Sequence, residues 1–214
     1  MTALDQLSPS PANSASNRGK SLNITLLLLL VTLLLALAAV FWLANNLTRL
    51  PTQNSTEAGF AQDMIVHHAQ AVELALLLYD RTENDTLRTM ALDMMLTQQA
   101  QIGQMQGWLR IWQLPYASVV LPMTWMDMPT EQMPGMATAE QINALRETSG
   151  IDADRQFINL MIPHHTAAIH MAEAIVNQTQ VPAVRELARS IIDSQQREID
   201  ALRQILAELD STTP

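Results

Sequence analysis

The segment EAGFAQDMIVHHAQAVELA, Glu57 to Ala75, is matched by DRQFINLMIPHHTAAIHMA, Asp154 to Ala172, at a fixed offset of 97 residues. The offset continues without a gap. Arg88 meets Arg185, Ala91 meets Ala188, Gln98 meets Gln195, Ile102 meets Ile199 and Leu109 meets Leu206. Such a match marks a duplication, so the fold must contain the same unit twice.

Periodicity identifies that unit. Apolar residues recur at three- and four-residue spacing in each copy, Gly is scarce, and no alternating β-branched run suggests a strand. The pattern predicts helices over about Thr56–Tyr79 and Thr86–Trp112, repeated over about Ala153–Asn177 and Pro182–Leu209. The turns DRTEND and QTQV are short enough to make antiparallel neighbours, and Pro182 suits a first helical position. The fold class is therefore all-α. Two duplicated hairpins form a four-helix bundle over residues 56–209. The connection Gln113–Gly150 should end in a short helix, capped by Thr138 and Gln141 and stopped at Gly150. Its first part, residues 113–137, reads as a Pro-containing, Met-rich loop.

Residues 1–21, rich in Ser, Pro and Asn, read as a disordered tail. Leu22 to Ala44 carry no charge. As a helix they would span about 34 Å, enough for a bilayer core of about 30 Å and longer than a signal-peptide core of about 7–15 residues. A single transmembrane anchor is expected, followed by a linker over residues 45–55. The alternative is secretion after cleavage, for which Ala36-x-Ala38 offers a pattern. Arg18 and Lys20 before the span, against Arg49 after it, favour a cytoplasmic N-terminus and a C-terminal domain outside the cytoplasm. The formal charge of −9 argues against a nucleic-acid partner. The absence of cysteine excludes lipobox attachment.

The core stripes contain polar residues. In the first helix the stripe is Glu57, Met64, His68, Ala71, Ala75 and Leu78. In the third it is Asp154, Met161, His165, Ala168, Ala172 and Ile175. His68 and His165 should face inward, with His67 and His164 on the flank and His170 on the outer face. Counting from the turns places Gln98 level with His68, and Gln195 level with His165, as supporting amides. Glu57 and Asp154 lie too far along their helices to join those histidines within one copy, and they complement the helix dipole.

A buried histidine can be a hydrogen-bonded core residue. Here both copies keep Met-x-x-His-His, where Leu would fill the layer at lower cost. Di-iron bundles use Glu-x-x-His at this spacing, and no Glu-x-x-His occurs in the chain. Thioether in place of carboxylate favours Cu(I) or Ag(I) over iron, and over zinc. The candidate metal ligands are Met64, His67, His68, Met161, His164 and His165. Pro163, where the first copy has Val66, should make the two sites differ. The connection adds Met123, Met126, Met128, Met133 and Met136, read either as a mobile soft-ligand tether or as a loop laid over the bundle end. Trp125 could add packing or a cation–π contact.

MPGM (Met133 to Met136), TAEQINAL, Asp154-x-x-Phe157, MIPHHTAAIHMA and SQQREI (Ser194 to Ile199) together resemble the bacterial domain of unknown function 305 family over about Glu57 to Leu209. The resemblance implies an exported, ferritin-like helical bundle, with copper binding in some relatives. It marks Met161, His164 and His165, and Met64, His67 and His68, as motif positions. Glu73 stands where the second copy has His170.

The expected function is membrane-anchored, extracytoplasmic copper or silver binding, for buffering, tolerance or transfer to a partner that the sequence does not identify. The alternatives are a metal-free helical interaction module or, third, a redox metalloenzyme. No nucleophile or acid–base constellation is visible, and no catalytic residue is predicted.

Overall fold

The computed structural model describes residues 15–47 and 50–212. Most of the expected N-terminal tail lies outside them; of residues 210–214, which the sequence also reads as a tail, 210–212 continue the last helix and 213–214 lie outside the described residues. The described residues contain six α-helices, one 3₁₀ turn and no strand.

Helix α1, Ala15–Leu47, belongs to a unit of its own. Ile24–Ala44 within it has mean hydropathy 3.0, long and apolar enough to cross a membrane. The helix starts inside the segment expected to be tail, because the polar residues before the apolar run continue its backbone.

The second unit contains everything from Pro51 onward. Helices α2 (Thr56–Arg81) and α3 (Asp85–Ile111) form the first hairpin, and α5 (Gly150–Gln178) and α6 (Pro182–Thr212) the second. The helix starts follow local chemistry. The Ser55 side chain accepts from Ala58 N, and Asn84 Oδ1 accepts from Thr86 N and Leu87 N. The two turns differ in sequence but close alike. Thr82 N and Thr179 N donate to Leu78 O and Ile175 O, and the Arg88 and Arg185 guanidinium groups donate to the carbonyls of Thr82 and Thr179.

Between the hairpins lie the 3₁₀ turn Thr124–Met126 and helix α4, Ala139–Glu147, which starts in the expected Thr138–Gln141 capping box. Gly150 is not its stop. The helix ends at Thr148, and Gly150, at φ +60, opens α5.

The hairpins meet through α2 and α5, which run antiparallel. The N-terminal half of α2 (Phe60, Met64) shares a core with the C-terminal half of α5 (Met171, Ile175). The C-terminal half of α2 (Leu74, Leu78) shares another with Phe157 and Met161. The sequence stripes of the second and fourth helices run through Met95 and Ile192; these are partly buried, and the buried positions are their neighbours Met94 and Ile191.

The docking is pseudo-symmetric. Glu57 Oε1 accepts from the Thr179 hydroxyl at 2.7 Å, and Asp154 is hydrogen-bonded by Thr82. Both acids therefore clamp the turn of the opposite hairpin, a tertiary role added to the dipole effect. Burial also raises the Asp154 carboxyl above the usual range.

Candidate metal centre

The two apolar cores are separated by a layer of four fully buried imidazoles: His67, His68, His164 and His165. His68 and His165 face inward as expected. His67 and His164 do not lie on an open flank. Their rings face each other across the α2–α5 contact, with centroids 3.9 Å apart and planes tilted by 43°. Each of these helices packs against both its hairpin mate and the other copy, so its buried arc is wider than one stripe. His164 and His165 are 6.1 Å apart by ring centroid.

The hydrogen bonds define three tautomers. His67 Nε2 lies 3.2 Å from the carbonyl oxygen of Pro134. His68 Nε2 lies 2.8 Å from Gln101 Oε1, and His165 Nε2 lies 2.6 Å from Glu198 Oε2. These oxygens accept, so each Nε2 carries the proton and each Nδ1 keeps a bare lone pair. All three Nδ1 atoms are buried without a hydrogen-bond partner, and the His164 ring has only the backbone of His67 within reach.

Burial keeps His67, His68 and His164 neutral. It pushes His67 down to about 4, partly offset by the Pro134 bond. Burial and then the neighbouring His67 push His68 down to about 3. The same two causes hold His164 well below its ordinary range.

The supporting side chains are not the expected ones. Gln98 and Gln195 are buried, but their amide atoms make no hydrogen bond with the protein. The partners of His68 and His165 are Gln101 and Glu198, one turn further on. Histidine in a helix leans toward the helix N-terminus, here away from the turn, and the facing residue leans toward it. The bond therefore forms with the later residue. Glu198 also lines a cavity of about 700 Å³ with Asp93, Thr97 and Arg197, so a carboxylate connects His165 to the surface.

Met64 and Met161 are fully buried one turn before the histidines. Among the described residues, no three His, Asp or Glu side chains form a ready-made ligand set. The candidate centre consists of imidazole pairs flanked by thioethers.

The five loop methionines divide. Met133 packs into the core, while Met126 and Met136 are partly buried against it. Met123 is buried and Met128 is exposed. The loop is anchored rather than free. Asp63 Oδ2 accepts from Met123 N at 2.8 Å and from Trp125 Nε1 at 2.9 Å. Trp125 stands edge-on to Phe60, with centroids 5.8 Å apart. Burial raises the Asp63 carboxyl, while these two hydrogen bonds oppose the rise.

Duplicated helical hairpins define a class of helical bundle, and proteins of similar fold are known. Residues 57–206 match the family described as Domain of unknown function (DUF305), and the chain belongs to that family. A candidate secreted DUF305 protein of Streptomyces coelicolor has a similar crystal structure. It is 42% identical, with TM-score 0.72, covering 74% of this chain and 96% of that one. A DUF305 fragment from Deinococcus radiodurans is 34% identical, with TM-score 0.61, covering 72% and 96%. CopM in its Cu(I)-bound form is 26% identical, with TM-score 0.54, covering 74% and 97%. CopM has also been solved in Ag-bound, Cu(II)-bound and apo forms. The uncharacterized protein L153 of Acanthamoeba polyphaga mimivirus is 48% identical over 67 residues, which span 43% of its length.

Proposed function

We propose that this protein holds Cu(I) or Ag(I) outside the cytoplasm, at the end of a membrane anchor, for copper buffering, tolerance or transfer. The ligands are His67, His68, His164 and His165, with Met64 and Met161 as soft donors beside them. The observation that carries this reading is the set of bare, buried Nδ1 atoms. In a metal-free core, buried nitrogens are paired. In a metal centre, the far nitrogen of each ligand histidine donates to an oxygen that fixes the tautomer, as Pro134, Gln101 and Glu198 do here.

The chemistry agrees with that assignment. Imidazole binds metal only when neutral, and burial keeps His67 and His68 neutral well below pH 7. Thioether with imidazole favours Cu(I) over Fe(II) or Zn(II). The CopM structures with copper and silver support the same class of ligand. For location, α1 fits a signal anchor or signal peptide, and the uncleaved anchor is our reading.

Competition titration of residues 51–214 tests the centre. Cu(I) and Ag(I) should bind more tightly than Zn(II) or Fe(II). Replacing His68 and His165 together by Leu should abolish the binding that belongs to the buried layer, with the helical signal retained. Equal Fe(II) affinity, or a variant that binds silver as before, would leave the histidines as core polar groups.

A further inference from the structure

The side of the second copy carries a feature that the first lacks. Met123, Met126, Met128 and His170 line one cavity of about 580 Å³, with Pro134 and Gly135 also on its wall. At the equivalent place in the first copy, Glu73 stands for His170 and pairs with Arg146 of α4 at 3.2 Å. One copy uses this position for an ion pair, and the other sets an exposed imidazole beside three thioethers.

Packing accounts for Met123 and Met126 but not for Met128. Met128 is 59% exposed, where a gap-filling side chain would be covered. The turn that carries them is held at local cost. Met123 and Asp127 adopt positive φ, 64° and 57°, on either side of the 3₁₀ turn. Asp63 fixes this geometry through Met123 N and Trp125 Nε1. The cavity also adjoins the buried histidines. Its wall includes Pro134, whose carbonyl accepts from His67, and Pro163, the residue before His164.

We infer that Met123, Met126, Met128 and His170 form an outer receiving site for a monovalent soft cation, Cu(I) or Ag(I), which then passes by Pro134 and Gly135 to the buried histidines. This rests on the reading of those histidines as a soft-metal site. Three thioethers and one imidazole suit such an ion, and thioether needs no deprotonation to bind it. The passage is ligand exchange. Each bond that breaks, to a loop sulfur or to the His170 nitrogen, is replaced by a bond to a bare Nδ1 of the buried layer or to the thioether of Met64 or Met161, with no change of oxidation state and no proton released.

The test uses the full-length chain in detergent and Ag(I) as a redox-inert probe, with bound silver counted by mass spectrometry. Wild type should bind silver in two classes. Met126→Leu, Met128→Leu and His170→Ala together should lose the outer class and load the inner one several-fold more slowly. Met128→Leu alone, at an exposed position, should weaken the outer class without disturbing the fold. His68→Leu with His165→Leu should lose the inner class and keep the outer. A triple variant with undiminished silver overturns the outer site, and one with undiminished loading rate overturns the passage. If the His pair variant keeps both classes, the buried centre fails instead, so the two failures are separable.

Discussion

His67 and His164 stand 97 positions apart in the chain and face each other at 3.9 Å between ring centroids. Neither ring reaches solvent. Two imidazolium ions at this separation would repel in a medium that solvates neither. The pair is therefore held neutral.

Acid should destabilise the metal-free protein through the buried histidine layer. The unfolded chain protonates its histidines near 6.5, whereas folded His67 and His68 hold off until about 4 and about 3. Between those values the unfolded state binds more protons, so stability falls as pH drops from 6.5 and levels off below the folded values. For His67 alone the loss is on the order of 3 kcal/mol. Urea unfolding of residues 51–214 from pH 7.5 to 4 should show the decline, and His67→Gln with His164→Gln should make it shallower, leaving the part due to His68.

Silver already bound should resist acid for the same reason. Protons compete for Nδ1 only as pH approaches the depressed values, so loss begins below pH 5 rather than near 6.5. Release of silver in a pH titration centred near 6.5 would show rings more open to water than the burial describes.

Glu198→Gln should make the second copy resemble the first. The bond to His165 survives as an amide contact like that of Gln101 to His68. The lost carboxylate no longer offsets the charge of a bound cation. Affinity for Ag(I) should fall by roughly 10- to 100-fold, the range for lost supporting carboxylates. Competition with a silver chelator reads this directly, and unchanged affinity would place the metal on the α2 histidines alone.

Gly135→Ala should loosen the loop. Its φ is +75, and an added Cβ would lie 2.6 Å from the Pro163 carbonyl oxygen and 2.8 Å from Ala167 Cβ. Strain plus clash should cost about 1–3 kcal/mol in urea unfolding. The neighbouring Pro134 carbonyl should shift from His67, faster amide exchange in α2 being its signature.

A periplasmic reporter fused after Pro214 should be active, and the purified protein should keep Leu22 to Ala44 in its mass. An intact chain with an inactive reporter would reverse the orientation. A shortened mass would show cleavage instead of anchoring.

Local chemistry was readable from residues alone. The Thr138–Gln141 box, Pro182 at a helix start and the two hairpins depend on neighbours within a few positions, and they stand as expected. The docking of α2 on α5 is tertiary, and no single-helix stripe contains it, so the stripe alone puts His67 and His164 on a flank. Counting levels by Cα points to Gln98, because it leaves out the lean of side chains along each helix that brings Gln101 to His68. The Met loop was partly legible. Its ligand types were plain in the sequence, but its anchorage by Asp63 depends on a contact some sixty positions away.

The antiparallel meeting of α2 with α5 also bears on how such a centre arises. A lone hairpin with this face would complete the histidine layer by pairing with a second copy of itself, at a concentration-dependent equilibrium. Fusing two hairpins makes the encounter intramolecular. It also ends the requirement that both halves be identical. Glu198 now stands opposite Gln101, Pro163 opposite Val66 and His170 opposite Glu73. A symmetric dimer must repeat every change on both sides, whereas a fused one can evolve a front and a back.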